Sequence, residues 1–342
     1  MITKPIYIFG PCSAETREQV LTTARQLKEA CGALLFIFRA GAWKPRTSPH
    51  SFQGAGDEAL DWLREVKETL NLPVATEVVS PEHVRKALAA GIDYLWIGAR
   101  TSANPIAVQA IADCLSEKQS FNETAFRPKA VFIKNPVNAD ANLWLGNIER
   151  LEQTGLPVIA VHRGCNHRPC WAMAHAVRMA RPDIPLLLDP SHMSGDAEQV
   201  PALLSKITEL GLDGVMMEVH CNPEEALSDK KQQLPPSRLP AVLLPISSQL
   251  REINASNTEL IWLRAEIDEL DDSLWETLAA RMDVSRRIGE WKKANHITPL
   301  QPERYAEILA KRTQWAEKHE LDAEFVQQLF DLIHKESLKR QE

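Results

Sequence analysis

Eight short runs of apolar and β-branched residues recur through about the first 250 residues, and amphipathic segments with helical spacing lie between them. The runs are Ile6–Phe9, Leu34–Phe38, Val74–Val78, Tyr94–Ile97, Val131–Lys134, Val158–Val161, Leu186–Leu188 and Val215–Val219. Each is apolar nearly throughout, the pattern of strands buried on both faces in a parallel sheet. The helical segments include Arg17–Ala30, Glu58–Leu70, Pro81–Ala89, Pro105–Leu115, Asn142–Leu151 and Ala197–Leu210. Ser80 before Pro81 and Gly91 behind the same segment are start and stop signals. A doubly wound open sheet shares this alternation, but a count of eight units matches a closed (β/α)8 TIM barrel. We therefore expect an α/β barrel over residues 1–254.

The texture then changes. Leu234–Ile253 holds four prolines (Pro235, Pro236, Pro240 and Pro245) and room for one imperfect last barrel helix, and Asn254–Asn257 is a polar linker. Residues 255–342 carry no strand pattern and are expected to form an all-α, three-helix domain. Its first helix, Glu259–Ala294, places Leu260, Leu263, Ile267, Leu270, Leu274 and Leu278 at alternating steps of three and four. A helix of that length spans about 54 Å, more than a small bundle can cover. This predicts a partner chain, hence a homodimer through the helical domain. Segments Pro302–His319 and Ala323–Lys339 complete the module.

Charge and cysteine usage limit the partners. With 39 Lys and Arg against 46 Asp and Glu, the net charge is −7, so no global basic field would recruit nucleic acid or an anionic membrane. No apolar stretch approaches the length of a membrane span, and the start lacks a signal-peptide pattern. The six cysteines form no CxxC pair, which suits free thiols in a reducing compartment and a cytoplasmic protein.

In a barrel of this type function concentrates at the C-terminal ends of the strands, where this chain carries its reactive residues. Cys12 follows the first strand; Arg39, Lys44 and Arg46 follow the second, and Glu77 ends the third. Arg100, Lys134, Arg163 and His192 mark the next four strand ends, Glu218 the last, and Asp229 the loop beyond it. Cys12, His192, Glu218 and Asp229 form a mixed sulfur, nitrogen and oxygen set, which suits Mn, Fe, Co or Zn better than Mg or Ca. The six cations would repel one another on one rim unless anions are bound there, and arginine suits bidentate contacts to phosphate and carboxylate. A second local set, Cys165, His167 and Cys170, has the spacing of no common structural zinc site.

The segments GPCSAE, KPRTS, GAR, DPSH, EVH and LSDKKQQL resemble the signatures of 3-deoxy-D-arabino-heptulosonate 7-phosphate (DAHP) synthases, from Pro5 to about Leu234. The likeness is to the shorter class, close to 3-deoxy-D-manno-octulosonate 8-phosphate synthases. It implies condensation of phosphoenolpyruvate with erythrose 4-phosphate at a divalent metal, manganese first and iron, cobalt or zinc otherwise. By that resemblance Cys12, His192, Glu218 and Asp229 hold the metal. Lys44, Arg100, Lys134 and Arg163 hold phosphoenolpyruvate, with Arg39 and Glu77 beside them; Arg46 and Thr47 take erythrose 4-phosphate. Lys134, Glu77 and metal-bound water are the candidates for activating the water that adds. Lys44-Pro45-Arg46-Thr47-Ser48 stands where octulosonate synthases usually show an Asn-Arg-Ser type segment, which favours the heptulosonate reaction. The octulosonate enzyme is the runner-up, and a non-enzymatic sugar-phosphate sensor comes third.

On the long helix Arg281 and Lys292 are 11 residues apart, about 20° out of phase, and share a face. Arg264, 17 residues before Arg281, lies about 100° away and is placed to reach a partner's pocket. Leu260–Gln341 resembles, without gaps, the all-helical chorismate mutases. That likeness implies chorismate binding by Arg281, Lys292, Arg304, Ser337 and Gln341, with Arg264 supplied by the other subunit and no cofactor. Tyr305 departs from the family, which often has Glu after that arginine. Together the two resemblances imply a bifunctional shikimate-pathway enzyme, a transferase joined to an isomerase. The two reactions are not consecutive, and with the first strand at the start of the sequence we expect no separate regulatory domain ahead of the barrel. We therefore expect the mutase module also to sense pathway flux and restrain the barrel.

Overall fold

A computed structural model describes residues 5–46, 48–117, 126–243, 258–298 and 300–341. The chain divides into two compact units, Met1–Glu266 and Ile267–Glu342. In the first, strands β1 (Ile6–Gly10), β2 (Ile37–Arg39), β3 (Val74–Glu77), β4 (Tyr94–Ile97), β5 (Ala130–Lys134), β6 (Val158–His162), β7 (Leu186–Leu188) and β8 (Gly214–Glu218) run in order. All neighbours are parallel, and β8 pairs back onto β1 to close the barrel. The alternation of side chains across each strand builds two apolar layers. Ile8, Ile37, Ala75, Trp96, Phe132, Val161, Leu187 and Met216 fill the barrel interior. Their neighbours, among them Phe9, Phe38, Ile97, Ile133, Leu188 and Met217, face the surrounding helices.

Helices α1 (Arg17–Cys31), α2 (Glu58–Leu70), α3 (Pro81–Ala89), α4 (Ala99–Ser102), α5 (Pro105–Ser116), α6 (Ala141–Glu152), α7 (Trp171–Ala180), α8 (Pro190–Ser194) and α9 (Val200–Glu209) follow the strands. Local capping explains several of their starts. Thr16, Ser80, Asn104, Asp140 and Asp189 each accept a hydrogen bond from a backbone amide of the helix that follows. The second strand lies later than its apolar run suggests: Leu35 is 82% exposed, and pairing with β1 begins at Ile37. That shift brings Arg39 into the strand, two places after inward-facing Ile37. Helix α9 starts at Val200 rather than Ala197, with proline in its first turn. Residues 239–243 are helical and begin the expected last barrel helix; its remainder and the 254–257 linker lie outside the described residues.

Helix α10 (Thr258–Ala294) begins within the first unit. There Trp262 is buried, meets Trp171 edge-on at 6.2 Å, and stacks on His175 at 5.5 Å. The second unit contains the rest of α10, then α11 (Pro302–Lys318) and α12 (Ala323–Lys339). Along the stripe of α10, Ile267 is 57% and Leu270 68% exposed in this chain. Among the described residues no helix is long and apolar enough to cross a membrane.

Candidate active site

The strand alternation that fills the barrel also composes its C-terminal mouth. Two places beyond the eight inward core residues come Gly10, Arg39, Glu77, Gly98, Lys134, Arg163, Asp189 and Glu218. This layer carries three cations, three carboxylates and two glycines, with apolar side chains directly beneath. Loops add Cys12 after β1, Lys44 and Arg46 after β2, Arg100 from α4, His192 from α8 and Asp229 beyond β8. Thr47 lies outside the described residues.

The carboxylates tie the layer together. Arg39 is fully buried, donates to Glu218 Oε1 at 3.1 Å, and lies 4.7 Å over the Trp96 ring. Lys44 Nζ stands 3.4 Å from Glu77 Oε2, and Arg46 donates to both Asp229 oxygens at 3.2 Å. Lys134 Nζ donates to Asp189 Oδ2 at 2.6 Å, while Asp189 also meets His192 Nδ1 at 2.9 Å. Burial opposes ionisation of Asp189, but His192 and Lys134 hold its carboxyl well below the usual range. Burial likewise opposes the Glu218 carboxylate, which His192, Arg39 and Lys44 keep ionised. Burial lowers the Lys134 ammonium against the pull of Asp189. It also works against Lys44, whose pKa the surrounding Cys12, Glu77 and Glu218 nevertheless raise.

Two guanidinium groups are left with unmet hydrogen bonds. Arg39 Nε and Nη1 and Arg163 Nε are buried without a hydrogen-bond partner among the described residues. Buried donors in a native protein normally find acceptors, so these atoms make the mouth a candidate anion site. Asn135 braces Arg163: its side chain accepts from the Arg163 amide at 2.7 Å and donates to the Gly164 carbonyl at 3.0 Å.

Cys12, Glu218 and Asp229 converge, with ligand atoms within 4.8 Å of one another. Cys12 Sγ donates to Asp229 Oδ2 at 2.9 Å, and burial with Glu218 nearby raises its thiol pKa. His192 lies at the edge of this group, its Nε2 3.5 Å from Glu218 Oε1. Burial lowers the His192 pKa, and an ionised Asp189 whose Oδ2 stands 2.9 Å from Nδ1 favours the ring proton there. The Nε2 lone pair therefore faces a carboxylate, an arrangement that a cation between them would relieve. The donor set thus fits a divalent transition ion, which would take the thiol as thiolate. The Cys165–Cys170 loop does not join it: Cys165 bridges to Arg168, Asn166, His167 and Cys170 have positive φ, and the converging group omits all three alternative ligands.

In the helical unit Arg281 donates to Ser337 Oγ, and Lys292 Nζ to Gln341 Oε1 at 3.1 Å. Gly289 makes the second contact possible, since a Cβ there would fall 2.4 Å from the Gln341 Cα. Arg304 pairs with Glu307 and shares a cavity of about 490 Å³ with Arg281, Lys311, Arg312, Leu329 and Phe330. Tyr305 gives its hydroxyl to Asp331 and stacks on Phe330 at 5.6 Å. Arg264 is exposed on the part of α10 in the first unit.

The motifs quoted in the sequence contained Asp189, Gln232 and Gln233, but no role was given to them. Gln232 donates to Glu218 Oε2 at 2.7 Å, and Gln233 accepts from the Cys12 amide at 3.0 Å. Counting two places from the inward core residue of β7 would have found Asp189. Lys311 and Arg312 were also missed; helical spacing from Arg304 and Ile308 was the available signal.

Comparison with known proteins finds a family match for each part of the chain. The family model "DAHP synthetase I family" matches residues 3–254, and "Chorismate mutase type II" matches residues 263–342. A phospho-2-dehydro-3-deoxyheptonate aldolase of Thermotoga maritima is 34% identical over 234 residues, 66% of this chain and 64% of its own length. A 2-dehydro-3-deoxyphosphooctonate aldolase of Azoarcus sp. is 30% identical over 260 residues, 71% of this chain and 90% of that protein. The crystal structure of a T. maritima DAHP synthase superposes with TM-score 0.60 at 30% identity, covering 71% of this chain and 68% of that one.

Proposed function

Because the chain belongs to the DAHP synthetase I family, we propose that its barrel condenses phosphoenolpyruvate with erythrose 4-phosphate to give DAHP and phosphate. We propose equally that its C-terminal helices, fused as a chorismate mutase type II module, rearrange chorismate to prephenate. The observation that carries the first reading is the barrel mouth, where buried Arg39 and half-buried Arg163 keep unmet donors beside a Cys, His, Glu and Asp cluster.

Two phosphorylated anions repel each other in water, and holding them together is the first requirement of the reaction. Arg100, Lys134, Arg163 and Lys44 take the phosphate and carboxylate of phosphoenolpyruvate, with Arg39 beneath; Arg46, together with Thr47, takes erythrose 4-phosphate. Fixed cations, of which Arg39, Lys44 and Lys134 are buried, stabilise this pair far better than water does and align the reacting carbons. Cys12, His192, Glu218 and Asp229 would hold a divalent ion, which would supply Lewis acidity toward the aldehyde oxygen. We favour manganese, with iron, cobalt or zinc as alternatives. C3 of phosphoenolpyruvate attacks the aldehyde carbon, water adds at C2, and loss of phosphate leaves the ketone. Of the two side chains considered for that step, Glu77 is assigned to accept the proton of that water, because Lys134, an ammonium bonded to Asp189, has no lone pair to take it.

In the mutase, Arg281, Lys292 and Arg304 clamp a dicarboxylate, with Ser337 and Gln341 beside them. A unimolecular rearrangement needs only a compact conformer and cations near the breaking ether bond. We infer that a second copy covers the exposed α10 stripe and supplies Arg264, giving a homodimer. We also place the protein in the cytoplasm, consistent with six free cysteines. The proposed restraint of the barrel by chorismate or prephenate predicts slower DAHP formation when either is added; an unchanged rate with both would contradict it.

The octulosonate relatives match over a larger share of their own length, and this keeps that synthase as the second reading. One protein sample separates the cases. DAHP should form with erythrose 4-phosphate and chorismate should be consumed, while Arg281→Ala loses only the second activity. Product from arabinose 5-phosphate instead would favour the octulosonate reading, and equal background mutase rates in parent and Arg281→Ala would leave the tail a structural role.

A further inference from the structure

Asp189 belongs to none of the groups so far assigned to metal or substrate, yet its side chain touches both. Its Oδ1 accepts the backbone amide of His192 at 3.1 Å, which caps the short helix that carries this histidine. Its Oδ2 meets the His192 ring at Nδ1 at 2.9 Å and the Lys134 ammonium at 2.6 Å. The residue is fully buried, so no solvent competes for either oxygen. Lys134 and the His192 ring also approach each other, at 3.4 Å. Both nitrogens stand within hydrogen-bonding distance of the same carboxylate oxygen, Asp189 Oδ2.

We propose that Asp189 is a positioning residue that fixes the metal-binding tautomer of His192 and the place of Lys134 through one carboxylate. An ionised carboxylate can only accept, so the ring must present its proton at Nδ1 and its lone pair at Nε2, toward Glu218. Carboxylate partners of this kind orient metal-ligating imidazoles and strengthen their basicity. The same oxygen anchors Lys134 over inward-facing Phe132, where a flexible four-carbon stem would otherwise sample several rotamers. The metal half of this inference concerns the chain's own donors. The lysine half rests on the proposed use of phosphoenolpyruvate.

The test uses full-length protein freed of metal, with Co(II) affinity measured by competition against a chelating indicator. Asp189→Asn should bind Co(II) roughly 10- to 100-fold more weakly. Combined with His192→Ala, it should cost no more than about a further twofold, because its effect passes through the ring. Parent-like affinity in Asp189→Asn, or full additivity in the double variant, overturns the proposal. Asp189→Glu keeps the charge and moves the carboxylate by one methylene; it too should lose affinity, and parent-like binding would mean that charge alone acts. For the lysine half, the KM for phosphoenolpyruvate at saturating metal should rise about tenfold or more in Asp189→Asn. An unchanged KM refutes that half. A parent protein that consumes no phosphoenolpyruvate would instead remove the proposed reaction and leave the metal result standing.

Discussion

Gly98 offers a sharp test of how the barrel mouth is assembled. Its φ of −74° and ψ of 165° suit any residue, so alanine meets no backbone strain. A Cβ at this position would nevertheless fall 2.0 Å from Glu77 Oε1 and 3.0 Å from Glu77 Cδ, where ordinary contact begins at 3.4 Å. The three nearest atoms it would meet all belong to the Glu77 side chain. Glu77 is buried and cannot swing into water, so Gly98→Ala must push the carboxylate away from its place 3.4 Å from Lys44 Nζ. Overpacking of this kind costs about 1–3 kcal/mol of stability, and a displacement near 1 Å in a reacting site costs about 100-fold in rate. We expect kcat/KM for DAHP formation to fall by about that factor while Tm drops only a few degrees. Glu77→Asp, shorter by one methylene, should recover part of the loss when combined with Gly98→Ala. Steady-state kinetics and thermal melts of the four proteins provide the measurement. Parent-like kinetics in Gly98→Ala would refute the claim that Gly98 makes room for Glu77.

Other consequences follow from single contacts. Gly289→Ala should push Gln341, just beyond the end of α12, away from α10 and slow chorismate loss at least tenfold while DAHP formation is unaffected, checked by assaying both reactions on one preparation. Burial pushes the His162 imidazole down to about 4 from 6.5, so the unfolded chain binds a proton that the folded one refuses. Its contribution, about 3 kcal/mol, is complete above pH 6.5 and is lost as pH falls toward 4. Melting curves across that window should show Tm falling with acid, and less steeply in His162→Gln, which can still donate to the Pro169 carbonyl.

Much of this architecture was legible because a closed parallel barrel repeats one physical pattern. The apolar runs gave all eight strands, and capping residues such as Ser80 marked helix starts. Strand two was misplaced because Leu34 and Leu35 look like strand residues, yet neighbouring strands offer hydrogen bonds only from Ile37 onward. The cations and metal-ligand types were visible at strand ends, but a list of residue types does not say which share an acceptor. Asp189 was passed over for that reason. Its DPSH segment drew attention to His192, whereas its own place follows from counting alternate residues after Leu187. In the tail, the resemblance pointed to Arg281 and Lys292. The Gln341 contact with Lys292 depends on Gly289, where the absence of a side chain is the informative feature.

The central claim is that the barrel joins phosphoenolpyruvate to erythrose 4-phosphate at a divalent metal. Offering metal-free and Mn(II)-loaded protein an equal mixture of erythrose 4-phosphate and arabinose 5-phosphate, with phosphoenolpyruvate limiting, and weighing the products by mass spectrometry tests it most directly. The account predicts seven-carbon DAHP in a large excess, formed with Mn(II) and abolished by chelator. A predominant eight-carbon product, or turnover indifferent to the chelator, would contradict it.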